Sequence, residues 1–284
     1  MVTPRETDQQ LIEGLLGWSA DHLRDFPWRR PHNLTPYRVL VAELLLKRTT
    51  ASAAARVYGS FLDRFPDLAR LSEALYAELE TAFSPLGLHK QRAKSTAAMT
   101  GYLSARHSSE IPSVLSELLN VPGIGQYSSR AVLSFGFDQP FAVVDGNVQR
   151  ILGRVYGSSI SSGSPVSQHQ QIVDRLLPIE RHRDFNYALI DIGSMVCRPS
   201  MPKCGECPLA GVCDYQNGRT IVPDRPLLAE STLIKQMRGS KGMSLTTLCE
   251  LSGVSKLTIV NIEQGRTKAR PSTVSKILEA LQDC

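Results

Sequence analysis

No stretch of this 284-residue chain stays apolar long enough to span a membrane, and Met1 to Gln10 is polar where an export signal needs an apolar core. Those absences predict a cytoplasmic protein with no membrane partner. The polar/apolar alternation of β-strands is missing, and no unit of 20–50 residues repeats, which argues against sheet-built folds and solenoids. Cysteine is scarce. Of six, Cys249 and Cys284 stand apart, read as a buried thiol and a tail thiol. The six histidines (His22, His32, His89, His107, His169, His182) show no ligand-like spacing, and His89 is not expected to act as a catalytic base. Net charge is only +5, but it is uneven. Arg225 to Cys284 holds nine basic and five acidic residues, so that segment is +4 and the preceding 224 residues are +1. A small basic unit on a near-neutral body fits a nucleic-acid-binding appendage.

What the chain does have is helical periodicity. It predicts helices over Gln10 to Leu23, Tyr37 to Thr50, Ser52 to Phe65, Leu71 to Phe83 and Gln91 to Ala105, punctuated by Gly and Pro, and hence an all-α fold. A 42% apolar content is ample for packed cores. Gly218, Pro223 and Pro226 mark a linker, giving domains at 1–217 and 232–284 with 218–231 between them.

Three local patterns carry chemistry. Cys197, Cys204, Cys207 and Cys213 are spaced Cys-x6-Cys-x2-Cys-x5-Cys, and in a reducing compartment four clustered thiols favour a metal over disulfides. Val121-Pro122-Gly123-Ile124-Gly125 separates two apolar helical runs. Its glycines are expected to turn the backbone at positive φ and leave the following helix with outward N–H groups for a phosphate. Val143-Val144-Asp145-Gly146-Asn147 follows about twenty residues later. Taken alone, the tripeptide Asp-Gly-Asn reads as a turn or cap.

Together these motifs resemble the helix–hairpin–helix DNA glycosylases: endonuclease III, the MutY-type adenine glycosylases and, most closely, the MIG-type mismatch thymine glycosylases. The resemblance covers roughly residues 10–217. It implies a two-lobed helical fold with double-stranded DNA between the lobes, and a [4Fe–4S] cluster on the four cysteines, with zinc as the other candidate. It places Asp145 as the catalytic carboxylate that stabilises an oxocarbenium-like sugar. Gly123, Gly125, Gln126 and Ser128 fall on the DNA-binding hairpin. Tyr127 sits where bifunctional relatives carry a Schiff-base lysine, which implies a monofunctional enzyme without strong lyase activity, and in MIG-type relatives this tyrosine lies in the base pocket. Phe26-Pro27-Trp28-Arg29-Arg30 and the run Tyr37 to Thr50 resemble both MutY and MIG types, while Lys47-Arg48-Thr49 is nearer MIG.

Glu43 interrupts a helix that is apolar almost all round. Desolvation should raise its pKa and suit it to hold or deliver a proton; the competing reading is an exposed Glu43 paired with Lys47. The resemblance puts Lys47 and Arg48 beside the gap left by a flipped nucleotide, and Leu88 in a loop able to wedge into the stack.

Beyond the linker, Ser244 to Gly265 resembles an XRE/Cro-type helix-turn-helix. Leu245, Leu248 and Leu251 are expected on the inner face of its first helix. Ser255, Lys256, Thr258 and Asn261 are expected to project from the recognition helix. The leading function is removal of thymine or uracil opposite guanine by a nucleoid-associated repair enzyme. The alternatives are an adenine glycosylase and, in another class, a regulator that reads DNA through the helix-turn-helix.

Overall fold

The computed structural model describes residues 4–157, 160, 165–218, 234–264 and 271–282. The chain divides into two compact units, Met1–Thr220 and Ile221–Cys284. Apart from Gly218, the expected linker lies outside the described residues. No strand occurs among the described residues, and none of their helices is long and apolar enough to cross a membrane.

The first unit contains α1 (Pro4–His22), α2 (Pro36–Leu46), α3 (Ala51–Arg64), α4 (Leu68–Ser72), α5 (Tyr76–Phe83), α6 (His89–His107), α7 (Leu115–Leu119), α8 (Gln126–Ala131), α9 (Gly146–Val155), α10 (Val166–Leu176) and α11 (His182–Met195). Side-chain caps start several of them. Thr35 accepts from the Arg38 amide, Thr50 from Ala53 and Asp67 from Arg70, each satisfying an amide the helix cannot. Two apolar cores result. One gathers α2 to α8 around Leu40, Leu45, Tyr58, Phe61 and Phe83. The other joins α1 to α9, α11 and the cysteine segment through Leu11, Leu15, Ile151, Phe185 and Leu209.

Two expected helices are shorter than the periodicity indicates. The helix over Tyr37 to Thr50 stops at Leu46, because the Arg92 guanidinium takes the carbonyls of Leu44 and Lys47 that further turns would use. The expected Leu71 to Phe83 helix is α4 and α5. The Glu78 carboxylate caps the Leu75 amide at 2.9 Å and starts a new helix there. Helix α8 runs on as one wide π-type turn, Val132–Gly136. A side chain at Gly136 would lie 2.7 Å from the Cα of Pro36, so glycine lets this turn press on the start of α2. The carbonyls of Ser134 and Phe135 are taken instead by His182 and Arg183 of α11.

The second unit has a helix over 234–240 (α12), then α13 (Leu245–Ser252), α14 (Lys256–Glu263) and α15 (Pro271–Gln282). Ile234, Leu248, Ile259, Ile262, Ile277 and Leu281 form its core, and Arg238 of α12 pairs with Glu263 of α14 at 2.6 Å. Ser244 and Ser255 cap α13 and α14, and Gly253 turns between them at φ +65°. Leu251 is not on the inner face. It is 52% exposed, and Ser252, one position on, is buried with its hydroxyl donating to the Leu248 carbonyl.

Candidate active site and cysteine loop

A cavity of about 90 Å3 opens between α2, the Phe26–Arg29 segment, α8 and α11. Glu43 and Tyr127 both line it, with Trp28, Arg29, Phe135 and Tyr187. Glu43 points inward from α2 among apolar neighbours and is only 8% exposed. Ser128 donates to its Oε2 at 2.9 Å. Burial outweighs that bond and the charge of Lys47 and pushes Glu43 up to about 7. It is therefore not the exposed partner of Lys47. Burial lowers the pKa of Lys47, and its Nζ instead donates to the Gly123 carbonyl at 2.6 Å, on the hairpin. The Tyr127 phenol is driven well above its ordinary range by burial and by the neighbouring charges of Glu43 and Asp145, so it stays protonated.

Asp145 caps α9 beside this cavity without lining it. Its Oδ1 accepts from the amides of Asn147 and Val148 at 2.8 Å, and its Oδ2 from the Asn147 side chain at 2.8 Å. The segment before it is held by Asn186 of α11. That side chain accepts from the Val143 amide and donates to the Phe141 carbonyl and the Ser134 hydroxyl. Arg150 extends the link. It donates to the Asn147 side chain, to the Gly193 carbonyl and to the Cys197 carbonyl, the last at 2.8 Å.

On the hairpin, Gly123 has φ +80° as expected, but Gly125 is extended (φ −102°), and a methyl group there would meet nothing within 4 Å. Packing therefore does not require glycine at 125. Gln126 is exposed at the start of α8, whereas Ser128 is buried with its hydroxyl turned inward on Glu43, away from the DNA-facing role expected of it. Arg48 and Leu88 are both exposed, both left-handed (φ +50° and +53°), and both line a second cavity of about 460 Å3.

The four cysteines line one small cavity of about 20 Å3. Arg154 donates to the Cys197 sulfur at 3.3 Å. The Leu209 amide points at Cys207, and those of Tyr215 and Gln216 at Cys213. Against these donors, burial pushes the Cys207 thiol up to about 11 and raises Cys213. Among the described residues, no three or more His, Cys, Asp or Glu stand close enough to hold a single metal ion.

Several residues at these sites carry no local signal in the sequence. Asp191 is fully buried and receives Arg24 and Arg29, each at 2.6 Å. Burial opposes its charge, but bonds and charges from Arg29 and Arg24 outweigh it and hold the carboxyl below its ordinary range. Arg29 also stacks on the Tyr187 ring at 4.3 Å. In the second unit, Ser255 and Thr258 bond each other at 2.7 Å while Ser255 caps the helix, and Asn261 is half-buried. Lys256 is exposed, and so is Leu257 at 71%, an apolar side chain that a pattern of polar contacts does not include.

The HhH-GPD pattern, "HhH-GPD superfamily base excision DNA repair protein", matches residues 41–174. A thymine/uracil-DNA glycosylase of Methanothermobacter thermautotrophicus is 30% identical over 70% of this chain and 89% of its own length. The chain belongs to the HhH-GPD superfamily. It is a base-excision DNA glycosylase. An adenine DNA glycosylase of Mycobacterium tuberculosis is 32% identical over 69% of this glycosylase and 64% of its own length. Among solved structures, a thermostable thymine-DNA glycosylase superposes with TM-score 0.71 at 27% identity, covering 75% of this chain and 98% of that one. Residues 234–284 match a helix-turn-helix pattern.

Proposed function

We propose that this enzyme removes thymine or uracil opposite guanine by hydrolysis. The observation that carries the reading is one of extent. The chain matches 89% of the thymine/uracil relative but only 64% of the adenine relative, and a helix-turn-helix stands at its C-terminal end. The cavity agrees. Arg29 lines it, and its buried Nε has no hydrogen-bond partner among the described residues, a donor that suits a carbonyl of a pyrimidine better than the amine of adenine. Duplexes with G·T, G·U, A·G and A·oxidised-G pairs, cleaved by hot alkali after incubation, test it. Excision of T and U is expected, and activity on A·G without G·T would replace the reading.

In this mechanism the base swings into the cavity, leaving a gap that Arg48 and Lys47 approach, while Leu88 wedges into the stack. Glu43 holds a proton for the departing base. Asp145 faces the sugar as positive charge develops. Tyr127 has no amine with which to form an imine. Borohydride is therefore expected to trap no enzyme–DNA adduct; strong trapping of the wild type would show a lyase. The amides that open α8, with Gly123, Gly125 and Gln126, meet a phosphate. In the second unit Ser255, Lys256, Thr258 and Asn261 face DNA, with the hydroxyls acting mainly to shape the helix start.

Cys197, Cys204, Cys207 and Cys213 would hold a [4Fe–4S] cluster. A zinc ion needs four sulfurs about 2.3 Å from one point. These four surround a cavity without closing on such a point, and their amide donors suit charged thiolates. The group, when bound, would order the loop and need take no part in the reaction. Anaerobic preparations are expected to be brown, with about four irons and four sulfides per chain. One zinc and no colour would contradict this.

A further inference from the structure

Arg48 and Leu88 hold left-handed backbones that residues with side chains keep only where their surroundings impose it. Between them lies Arg92, on the first turn of α6 and only 8% exposed. Its Nε donates to the Gly87 carbonyl at 3.0 Å and its Nη1 to the Leu44 carbonyl at 2.8 Å. Its Nη2 bonds the Lys47 carbonyl and the Thr49 hydroxyl. One planar cation thus ties the residue before Leu88 to the residues on both sides of Arg48. A lysine, with one nitrogen and no fork, could not span these acceptors. A third DNA-facing segment joins the set, since Lys47 reaches the Gly123 carbonyl of the hairpin.

We propose that Arg92 is a positioning residue that couples the Arg48 turn to the Leu88 loop, so that wedge and gap-filling residue enter the duplex as one unit. The inference rests on reading Leu88 and Arg48 as residues that enter DNA. It does not involve the cavity holding Glu43, because Arg92 lines the other one, with Leu88 and Arg48. Two turns that move independently would each open the stack only part of the time. Two turns locked to one guanidinium open it together.

Single-turnover excision by the full-length protein tests this, on the mispair it removes fastest, flanked by either A·T or G·C pairs. Arg92→Lys keeps the charge and loses the fork. We expect a loss of ~10-fold or more with G·C flanks, where the stack resists opening, and a clearly smaller loss with A·T flanks. Leu88→Ala and Arg48→Ala should each slow the wild type but remove little more once Arg92 is Lys. A role confined to folding would lower every substrate by one common factor and move the melting temperature. If Leu88→Ala and Arg48→Ala have no effect, the reading of those segments as DNA-entering is wrong. If they act, but Arg92→Lys keeps wild-type rates or loses the same factor in both contexts, the coupling is wrong. Should Arg92→Lys fail to fold, Thr49→Val removes one acceptor, leaves the three carbonyls, and should give a smaller loss with the same dependence on flanks.

Discussion

Asp145→Asn is expected to lower base excision by roughly 10^3-fold while leaving fold and DNA binding in place, as removal of a preorganised electrostatic group does. The asparagine oxygen can still accept from the amides of Asn147 and Val148, so the cap of α9 survives. What disappears is the negative charge proposed to face the sugar. Thermal melts and binding to a mispaired duplex, run beside the excision assay, separate these effects. Asp145→Ala loses the cap as well and should cost about 1 kcal/mol of stability beyond the asparagine variant. If the asparagine variant loses stability and activity together, Asp145 acts as a cap and not as a catalytic group.

The second large effect belongs to Glu43. Its carboxyl titrates near 7 in the folded protein against 4.5 when free. The folded state therefore holds an extra proton between those values, and the stability this residue contributes, full below about 4.5, is lost as pH rises through 7. Two and a half pKa units correspond to about 3 kcal/mol. Glu43→Gln removes the titration. At pH 8 it should melt above the wild type, and near pH 4.5 the two should coincide. Activity should move the other way. Wild-type single-turnover rates should fall as pH rises through about 7, as the deliverable proton leaves, and the glutamine variant should be nearly inactive throughout. A wild-type rate that climbs through the same window would make Glu43 a base instead of a proton donor.

How much of this was readable in advance follows from sequence distance. The hairpin, Asp145 and the cysteines are each contiguous, so their spacing carries them. The burial of Glu43 is legible because the helix around it is apolar almost all round, although Lys47 four residues on also fits an exposed pair. The grouping of Asp191 with Arg24 and Arg29 is not, because Asp191 lies more than 160 residues from both and, like Arg24, belongs to no local motif. Arg92 looks like an ordinary helix-face cation until its four acceptors, 5 to 48 positions away, are placed around it. Local patterns also misled. The Gly-Ile-Gly pattern predicts positive φ at Gly125, which is extended, and leucine spacing predicts Leu251 in the core, although Ser252 occupies the inward register. Helix periodicity runs through residues 73–75 unbroken, and only the Glu78 cap divides it.

In the first unit, the main groups that would meet DNA share one address: the ends of helices. Leu88 precedes α6, Gly125 precedes α8, Asp145 precedes α9, and Lys47 closes α2. Inserting a single residue inside a helix swings everything beyond it by about 100°. The glycosylase should accordingly accept many point replacements on its outer helical faces, yet reject almost any insertion or deletion within α2, α6, α8 or α9. A library of single-residue insertions and deletions scored by base excision should show its losses concentrated in these four helices.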